Sequence, residues 1–579
     1  MANHLVTSVL TMGLSILFIL VVVALVAKHG SSDDDDTPLN SMAIHTICKP
    51  TEYTDTCHDA LADVSKNSSS TRRDYIFASF RVTIDQLKAA SEKATEIRKD
   101  LHGKTDDYSK YARADLKNCE TLLGMAADEL QHLLKVASQQ KLDHLPDQVD
   151  PILVRLTAVR AYQTTCVDEI QDDKLRDDMQ KTLDTANKNT YNSEKIIHYI
   201  PDILMEFGVE LDLFHGAIAG HRRLLGDDEE EEEEHEHDEY EHMEQAYFKT
   251  PEPESIDDPK KVKPNVVVAQ DGSGQYKTIK EALAAYPSNH KGRYIIYIKA
   301  GEYNEGQIIV EQNNVYMYGD GRDKTIITGS ENYGISKCGT SQTATFVAQG
   351  ERFMGRAIGF RNTIGTSGLQ AVAFRSVSPH TLMVDCSFEG YQNTLHYHAH
   401  DQFYKNCSIY GTVDIIFGSG RAYIQDSEIY VRKPESDQNN TVTADGRMKS
   451  VEKGGVVLQK CKIKATKELK AVQGKVRTYL GRPYKEYSKA MVMQTEIGSM
   501  LEPEGWNKMD KPQGNKYHDT CTIREFYNKG AASSTEHRVE WKGYMEIKSK
   551  KYAKGYSSDK FIHAGSWVPH AGVDVDLKL

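Results

Sequence analysis

The sequence lacks the features that mark several broad classes of protein. Its 579 residues include only 40 glycines and 16 prolines, too few for a collagen-like chain. No apolar run long enough to cross a membrane follows residue 27, which excludes a polytopic membrane protein. With 39% hydrophobic and 27% charged residues, the composition is globular and excludes a chain that is disordered throughout. The length suits about two to four domains of ~100–200 residues each.

Excess negative charge is confined to the front half. Residues 1–263 hold 29 Lys and Arg against 51 Asp and Glu, a net charge of −22, whereas residues 264–579 hold 42 against 33, a net charge of +9. A basic surface suits a polyanion, such as nucleic acid or an acidic polysaccharide, although scattered solvated lysines give the same sum. We therefore expect the two halves to have different partners.

No lysine or arginine precedes the apolar run from Leu5 to Ala27. The run has 23 residues, enough to span a bilayer, and it lies where a secretory signal would lie. Residues 1–30 are therefore either a cleaved signal peptide or a signal anchor that holds the chain on the membrane before processing. Both send the chain into the secretory pathway, which nine cysteines fit. Compatible sequons lie at Asn67, Asn406 and Asn439.

Residues 43–215 are poor in glycine and predict a bundle of helices. Apolar residues recur there at spacings of three and four, as in the set Leu122, Ala126, Leu130, Leu133 and Leu134. The segment contains four cysteines, Cys48, Cys57, Cys119 and Cys166. An even count in an exported helical domain predicts two disulfides, whose pairing the spacing leaves open.

Residues 216–263 predict an exposed linker. From Asp227 to Glu244 there are thirteen acids, three histidines and no lysine or arginine. Like charges repel in any compact state, so this tract is expected to be solvated and disordered. A dibasic site for a processing protease lies just before it, at Arg222, Arg223, Leu224 and Leu225, where exposed chain favours proteolysis.

Residues 264–579 consist of short β-rich runs separated by glycine, asparagine and aspartate turns. The runs recur about every 20–25 residues, which favours a parallel β-helix over the competing β-sandwich. Gln370, Gln392 and Asp414 are spaced by 22 residues, so coils of that length would stack them on one face, as a site or as a structural ladder. Cys386 and Cys407, 21 apart, are predicted to form a disulfide between adjacent coils.

Specific strings in the chain resemble plant pectin methylesterases that carry an N-terminal inhibitor-like pro-region. In the back half they are VVVAQDGSGQYKTIKEAL (266–283), GEYNE (301–305), GDGRDKTIITGS (319–330), QAVAFR (370–375), GYQNTLH (390–396), VDIIFG (413–418) and YLGRPYKEYS (479–488). In the front half, CKPTEYTDTC (48–57) resembles the opening of the inhibitor family. The resemblance implies an all-α four-helix bundle with disulfides Cys48–Cys57 and Cys119–Cys166, followed by a right-handed parallel β-helix.

The same resemblance implies de-esterification of methylated homogalacturonan in the cell wall, with no metal or cofactor. Asp414 matches the nucleophile, Arg482 the arginine that orients it, and Gln370 and Gln392 the amides that stabilise the oxyanion. Thr340 matches a substrate-contacting threonine, and Tyr484 replaces a substrate-stacking tryptophan. The expected partners are methylesterified pectin, the chain's own pro-region and the processing protease, and not nucleic acid.

One departure from the family pattern concerns the chemistry directly. Asn393 stands where the family has the general acid/base aspartate, and an amide cannot take up and return a proton. Nearby, His396 replaces a tyrosine and Asp401 lies where an arginine is usual. Three explanations remain open: a copy that has lost catalysis, a slow esterase that uses water as its proton carrier, or a rerouted mechanism. In the last, the proton donor is one of His396, His398, His400 and Asp401.

Four functions are compatible with these residues. The first is a pectin methylesterase zymogen, slowed by Asn393. The second is a catalytically silenced protein that still binds pectin, and the third is an inhibitor module in the front half that acts on other esterases. A polysaccharide lyase is the fourth, although the esterase strings account for these residues better.

Overall fold

The computed structural model describes residues 41–209, 211, 263–336, 338–509 and 514–579. The predicted targeting segment 1–30, the processing site 222–225 and the acidic tract 227–244 lie outside these residues. Within the described ranges, no helix is both long enough and apolar enough to cross a membrane. The fold consists of a helical domain and a larger domain built from β-strands.

The helical domain is a four-helix bundle with short flanking helices. Its helices are α1 Ser41–Cys48, α2 Thr54–Ser65, α3 Arg72–Ile76, α4 Ala78–Asp100, α5 Asp107–Ala137, α6 Val149–Asp168, α7 Asp173–His198 and α8 Ile200–Glu206. The four long helices pack in the cyclic order α4, α5, α6, α7, so that each contacts two neighbours. The bundle predicted for this segment is confirmed.

Local sequence explains where the long helices begin and which faces they bury. The carboxylates of Asp106 and Asp172 accept hydrogen bonds from backbone N–H groups at the starts of α5 and α7, which satisfies donors that a helix leaves unpaired. The apolar stripe predicted on α5 faces the core, with Leu134 at its partly buried edge. Disulfides join Cys48 to Cys57 and Cys119 to Cys166, as the family resemblance implies.

The second domain contains 26 described strands and six short helices. The strands are β1 Val266–Val268, β2 Tyr294–Ile298, β3 Gly301–Tyr303, β4 Ile308–Val310, β5 Val315–Gly319, β6 Thr325–Gly329, β7 Phe346–Ala348, β8 Met354–Arg356, β9 Gly359–Asn362, β10 Phe374–Ser376, β11 Thr381–Val384, β12 Ser387–Glu389, β13 Leu395–Tyr397, β14 Asp401–Lys405, β15 Ser408–Gly411, β16 Ile416–Gly418, β17 Arg421–Gln425, β18 Glu428–Val431, β19 Asn440–Asp445, β20 Gly455–Gln459, β21 Lys462–Ala465, β22 Thr478–Gly481, β23 Lys489–Met493, β24 Glu496–Ile497, β25 Thr522–Phe526 and β26 Tyr544–Glu546. The helices are α9 Ile279–Ala284, α10 Tyr333–Ser336, α11 Lys467–Lys470, α12 Gly514–Thr520, α13 Lys550–Lys554 and α14 Ser558–Ile562.

These strands form a parallel β-helix. In the described part of the chain they make three parallel sheets of eleven, seven and eight strands, and from β2 to β25 successive strands fall into different sheets. The seven-stranded sheet has the order β22-β19-β16-β13-β10-β7-β4, and it carries the site residues described below. The sandwich alternative is wrong, because the strands pair in parallel with those of the next coil.

Stacked side chains fill the interior of the β-helix. Parallel pairing places equivalent residues above one another, so Phe346 stacks on Phe374 and Phe360 stacks on Phe388 in successive coils. The two rings of each pair are nearly parallel, with ring centroids 5.7 and 5.6 Å apart. The alignment of one coil on the next therefore also fixes the positions of polar residues on the outside of the same strands.

The predicted disulfide between Cys386 and Cys407 is wrong. Register pairing of Ser387 with Ser408 does place the two cysteines one coil apart, but both side chains lie buried in the core as free thiols. The thiol of Cys386 donates to the Val384 carbonyl at 3.3 Å, and that of Cys407 donates to the Lys405 carbonyl at 3.3 Å. Side chains that point into the core from neighbouring coils are parallel to each other. A separation of one coil is therefore not sufficient for two cysteines to form a disulfide. Cys338, Cys461 and Cys521 are also free.

Candidate functional site

Asp414 lies just before β16, and three hydrogen bonds from two side chains fix its carboxylate. Arg482, which follows β22, donates from Nε to Oδ1 at 2.8 Å and from Nη2 to Oδ2 at 2.5 Å. Thr441 Oγ1 donates to Oδ1 at 2.7 Å and accepts the Asp414 backbone N–H at 2.7 Å. The aspartate is only 3% exposed. A two-bond guanidinium clamp of this kind fixes the direction of the carboxylate and balances its charge.

Asn393 occupies the coil position next to Asp414. Its backbone N–H donates to the Val413 carbonyl at 2.9 Å, and two residues later Leu395 pairs in register with Ile416, an offset of 21. Both residues adopt the left-handed conformation, with φ of 63° at Asn393 and 49° at Asp414, which asparagine and aspartate tolerate better than most residues. The register of these two coils therefore places Asn393 beside Asp414.

The two glutamines form the other part of the predicted ladder. Gln370 and Gln392 are bridge partners in adjacent coils, as their spacing of 22 predicts, but Gln392 is not the register partner of Asp414. Gln438 Nε2 donates to Gln392 Oε1 at 3.2 Å, which leaves the Gln392 amide NH₂ to act as a donor. The Oε1 atom of Gln370 is buried and accepts no hydrogen bond.

A cavity of about 180 Å³ brings the expected site residues together. From the β-helix it is lined by Thr340, Gln370, Gln392, Asn393, Asp414, Arg482 and Tyr484, so all seven lie at one place. The helical domain lines the same cavity with Thr157, Arg160, Ala161, Thr164, Thr165, Asp168 and Glu169. Pockets that hold small ligands are typically ~300–1,000 Å³, so a polymer does not fit here while α6 is in place.

The C-terminal end of α6 is held in the cavity by carboxylates. Asp168 Oδ2 lies 2.7 Å from Lys485 Nζ, next to Tyr484. Glu169 accepts the backbone N–H of Ser341 at 2.5 Å and its hydroxyl at 2.6 Å. Burial raises the pKa of Glu169 to about 7, an effect larger than that of its hydrogen bonds. The helical domain therefore blocks the cavity through direct polar contacts at its rim.

Comparison with known proteins identifies both domains. The family model described as Pectinesterase matches residues 265–566, and that of the plant invertase/pectin methylesterase inhibitor matches residues 42–197. A pectinesterase/pectinesterase inhibitor of Brassica campestris is 35% identical over 575 residues, covering 96% of this chain and 98% of that protein. This chain belongs to the pectinesterase family.

Other members of the family extend the similarity. Pectinesterase 3 of Citrus sinensis is 33% identical over 557 residues, covering 96% of this chain and 91% of that protein. The solved structure of pectin methylesterase from carrot is 44% identical, with a TM-score of 0.53, and covers 55% of this chain and 99% of its own. Pectinesterases are carboxylic ester hydrolases, so the cavity around Asp414 is the candidate active site of this family member.

The histidines near Asn393 differ in their access to this pectinesterase site. His396 and His398 line the cavity, and their rings stack with centroids 4.5 Å apart. His396 also stacks on Phe417 at 4.2 Å, and its Nδ1 atom is buried with no hydrogen-bond partner. Burial and the Arg375 cation hold the pKa of His396 well below its usual range. The ring is therefore neutral and a weak base.

The remaining candidates for the missing proton lie elsewhere. His400 Nε2 is 2.8 Å from Glu129 of the helical domain, and Asp401 forms a two-bond ion pair with Arg421 at 2.6 and 2.7 Å. Neither side chain lines the cavity. Of the four alternatives proposed from the sequence, the structure brings only the two stacked histidines to the site.

Sequence reasoning missed the contacts between the two domains of this pectinesterase. Ser341 and Lys485 lie beside predicted site residues, and their partners on α6 are 172 and 317 residues away in the chain. A contact over such a separation leaves no local pattern in one sequence. The neighbouring positions Thr340 and Tyr484 were the one available signal that these residues face the cleft.

Proposed function

We propose that this pectinesterase is a pectin methylesterase that hydrolyses methyl esters of cell-wall homogalacturonan to pectate and methanol. The observation that carries the proposal is the buried Asp414 carboxylate, clamped by Arg482 at the edge of a cavity that also holds two glutamine amides. A secretory route to the cell wall, with the helical domain as a pro-region removed at residues 222–225, completes the proposal.

In this mechanism the Asp414 carboxylate attacks the ester carbonyl. A bond forms between an Asp414 oxygen and the carbonyl carbon, the negative charge moves to the carbonyl oxygen, and methoxide leaves and takes a proton from water to give methanol and hydroxide. A second water then attacks the resulting acyl-enzyme, which returns the Asp414 carboxylate and leaves a carboxylate on the sugar. Of the two protons of this water, one neutralises the hydroxide and the other is released to solvent. Arg482 orients the nucleophile throughout, because its two bonds fix both carboxylate oxygens.

Gln392 is proposed as a donor to the oxyanion. We expect Gln392→Ala to lower kcat for methanol release by about 10²–10³-fold, the usual effect of removing one such donor. The amide acts where charge develops, so kcat should fall more than the affinity for pectin. Gln473→Ala, which changes an amide bonded to Ser499 away from the cavity, is the matched control. An unchanged kcat in Gln392→Ala would contradict this role.

Because of Asn393, we expect proton transfer to the leaving methoxide to be the slow step. Its amide can donate a hydrogen bond to the reacting ester but cannot release a proton to methoxide. His396 lies in the same cavity, but in the docked chain its depressed pKa keeps the ring neutral, and the ring is held in a stack with Phe417 and His398. Water as the proton carrier, and hence a slow esterase, is the version that these observations support best.

The helical domain is proposed to keep the enzyme inactive until it is removed. Helix α6 and the residue that follows it, Glu169, line the cavity with seven residues, and the space they leave is about 180 Å³. Ion pairs between Arg160 and Glu452 and between Asp168 and Lys485 join the domains at this rim. The Arg160–Glu452 pair is buried and therefore little screened by salt, so we expect the docked state to persist in the intact chain.

Docking of the two domains should depend on pH through Glu169. The docked carboxyl has a pKa of about 7, whereas an exposed glutamate has a pKa of ~4.3. The docked state therefore binds a proton more tightly, and docking weakens by up to about tenfold per pH unit as the pH rises between these values. Glu169→Gln should remove this slope. The measurement is the dissociation constant of the two halves, after cleavage in the linker, at pH 5 and pH 7.

Other groups at the interface oppose this trend, so the comparison must be made between variants. Burial lowers the pKa values of His396 and His398, which makes docking weaken as the pH falls. The difference between the native chain and Glu169→Gln isolates the glutamate, and Glu96→Gln on an exposed part of α4 is the charge control. Equal slopes in the native chain and Glu169→Gln would contradict the assignment.

A catalytically silenced pectin-binding homologue is the second candidate function. Asn393 favours it, since the amide removes the family's proton donor while leaving the rest of the groove. In that case the front half would serve as an inhibitor module toward other esterases. Methanol release that depends on Asp414 separates this candidate from the first.

A further inference from the structure

A second group of cations on the β-helix meets the helical domain at the opposite end of α6. Asp150, in the first turn of α6, lies 2.9 Å from Arg421 Nη1, 2.9 Å from Lys453 Nζ and 3.1 Å from His563 Nε2. These cations hold the pKa of Asp150 well below its usual range although burial acts in the other direction. One carboxylate therefore occupies a site built by three residues from separate parts of the β-helix domain.

The site is preorganised by the β-helix itself. Arg421 opens β17 and is 5% exposed, and Asp401, at the start of the neighbouring strand β14, binds its Nε and Nη2 atoms. This ion pair fixes the guanidinium so that Nη1 faces Asp150. Lys453 lies just before β20, which pairs with β17. Asp401 therefore holds Arg421 in place without the helical domain, and the neighbouring coil of the same sheet supplies Lys453.

The cluster of Arg421, Lys453 and Asp401 has a net positive charge when the helical domain is absent, so it can bind another anion. Arg421 and Lys453 carry two positive charges, and Asp401 supplies one negative charge, so an excess of one remains without Asp150. Protonation of His563 would add another. A fixed guanidinium and a lysine in a groove bind a carboxylate by charge-assisted hydrogen bonds.

The position of the group relates it to the catalytic cavity. Asp150 and Asp168 are 18 residues apart on one helix, a rise of about 27 Å, and Thr157, the first α6 residue in the cavity lining, is about 10 Å from Asp150. At both ends of α6, a carboxylate of the helical domain lies on a cation of the β-helix. The proposed reaction makes a chain of carboxylates from neutral esters, so its product has the group that both places accept.

We propose that Arg421, Lys453 and His563 form a carboxylate subsite, separate from Asp414, that binds a de-esterified galacturonate unit of the polymer. This inference rests on the proposed function, because that function supplies the uronate chain. Asp150 of the helical domain fills the subsite in the intact chain, and a free sugar carboxylate fills it after the helical domain has been removed. The enzyme half then holds stretches of polymer that already carry carboxylates.

The test compares two probes on the enzyme half. The full chain is folded, cut at an engineered site in the linker, and freed of its helical domain in high salt. Binding of a fully de-esterified oligogalacturonate and of its fully methylated counterpart is measured by calorimetry. We expect Lys453→Gln to weaken binding of the de-esterified probe by about tenfold, the effect of losing one charge-assisted contact, with little change for the methylated probe.

Two further variants make the outcome specific. Lys548→Gln removes the same charge from a lysine whose side chain is 83% exposed, and it should leave binding unchanged. Lys453→Arg keeps the charge and should keep most of the affinity, which shows that the loss in Lys453→Gln is not a loss of folding. Equal affinity of Lys453→Gln and the native half for the de-esterified probe would overturn the proposal. So would an equal loss in Lys548→Gln, because net charge would then explain the effect.

Docking and sugar binding are then separated in the full chain. Asp150→Asn should lower the salt concentration that separates the two halves after the linker is cut. If it does so while Lys453→Gln binds the de-esterified probe normally, the cations serve docking alone and the subsite is wrong. If the native half binds this probe through Lys453 but releases no methanol from pectin, the subsite stands and the proposed esterase function fails.

Discussion

Asn393→Asp is expected to raise methanol release by the freed β-helix half by about 10²–10⁴-fold, the usual contribution of general acid–base catalysis. The new carboxyl would lie beside Asp414 in the next coil, where the neighbouring negative charge raises its pKa and keeps it protonated for donation. Aspartate also tolerates the left-handed backbone that this position requires. The measurement is the initial rate of methanol release from highly methylated pectin.

Two controls belong with this gain of activity. Asn393→Ala supplies neither a proton nor a hydrogen bond and should not exceed the native rate. Asn393→Asp combined with Asp414→Ala should be inactive, because a proton donor cannot replace the nucleophile. If Asn393→Asp folds with an unchanged melting temperature and gives no increase, the proton is not what limits this site. The His396 and Tyr484 substitutions would then be the next to revert.

Removal of the helical domain is expected to raise esterase activity by about 100-fold or more, which corresponds to a docked-to-open ratio of about 99:1 in the intact chain. The physical reason is that α6 fills the groove above Asp414 and Arg482 and leaves a cavity of about 180 Å³. Cutting the linker alone should release little activity at low salt, since the ion pairs at Asp150, Arg160 and Asp168 remain.

The measurement for this prediction follows one preparation through three states. Methanol release is assayed before cleavage, after cleavage in the linker, and after separation of the halves in high salt and return to assay buffer. Adding back the separated helical domain should restore the low rate. Full activity before cleavage would contradict the docked structure as the resting state of the chain.

The repeating part of the fold could be predicted from the sequence because each coil carries its own signal. Short β-rich runs ended by glycine or asparagine predicted the β-helix, and the Gln370–Gln392 spacing gave the length of one coil. The next coil is one residue shorter, so Asp414 aligns with Asn393. One residue fewer in a coil changes which residues of neighbouring coils align. An average repeat length taken over many coils does not show such a change in a single coil.

Other features depend on orientation or on contacts between distant residues. Cys386 and Cys407 have the right spacing for a bridge, but their side chains face the core in parallel. Asp150 and Arg421 are 271 residues apart, and no local pattern links a helix to a strand of another domain. The resemblance to pectin methylesterases assigned seven residues to one site, whereas the spacing of residues alone did not. All seven line one cavity.

Asp414 is proposed to hydrolyse a methyl ester once the chain's own helical domain no longer covers it. The most direct measurement is methanol release from highly methylated pectin by the freed β-helix half, with the native sequence and with Asp414→Ala assayed side by side. We expect slow but measurable release by the native half and none by Asp414→Ala. No release by either, from halves that are folded and bind pectin, would contradict it and leave a pectin-binding protein.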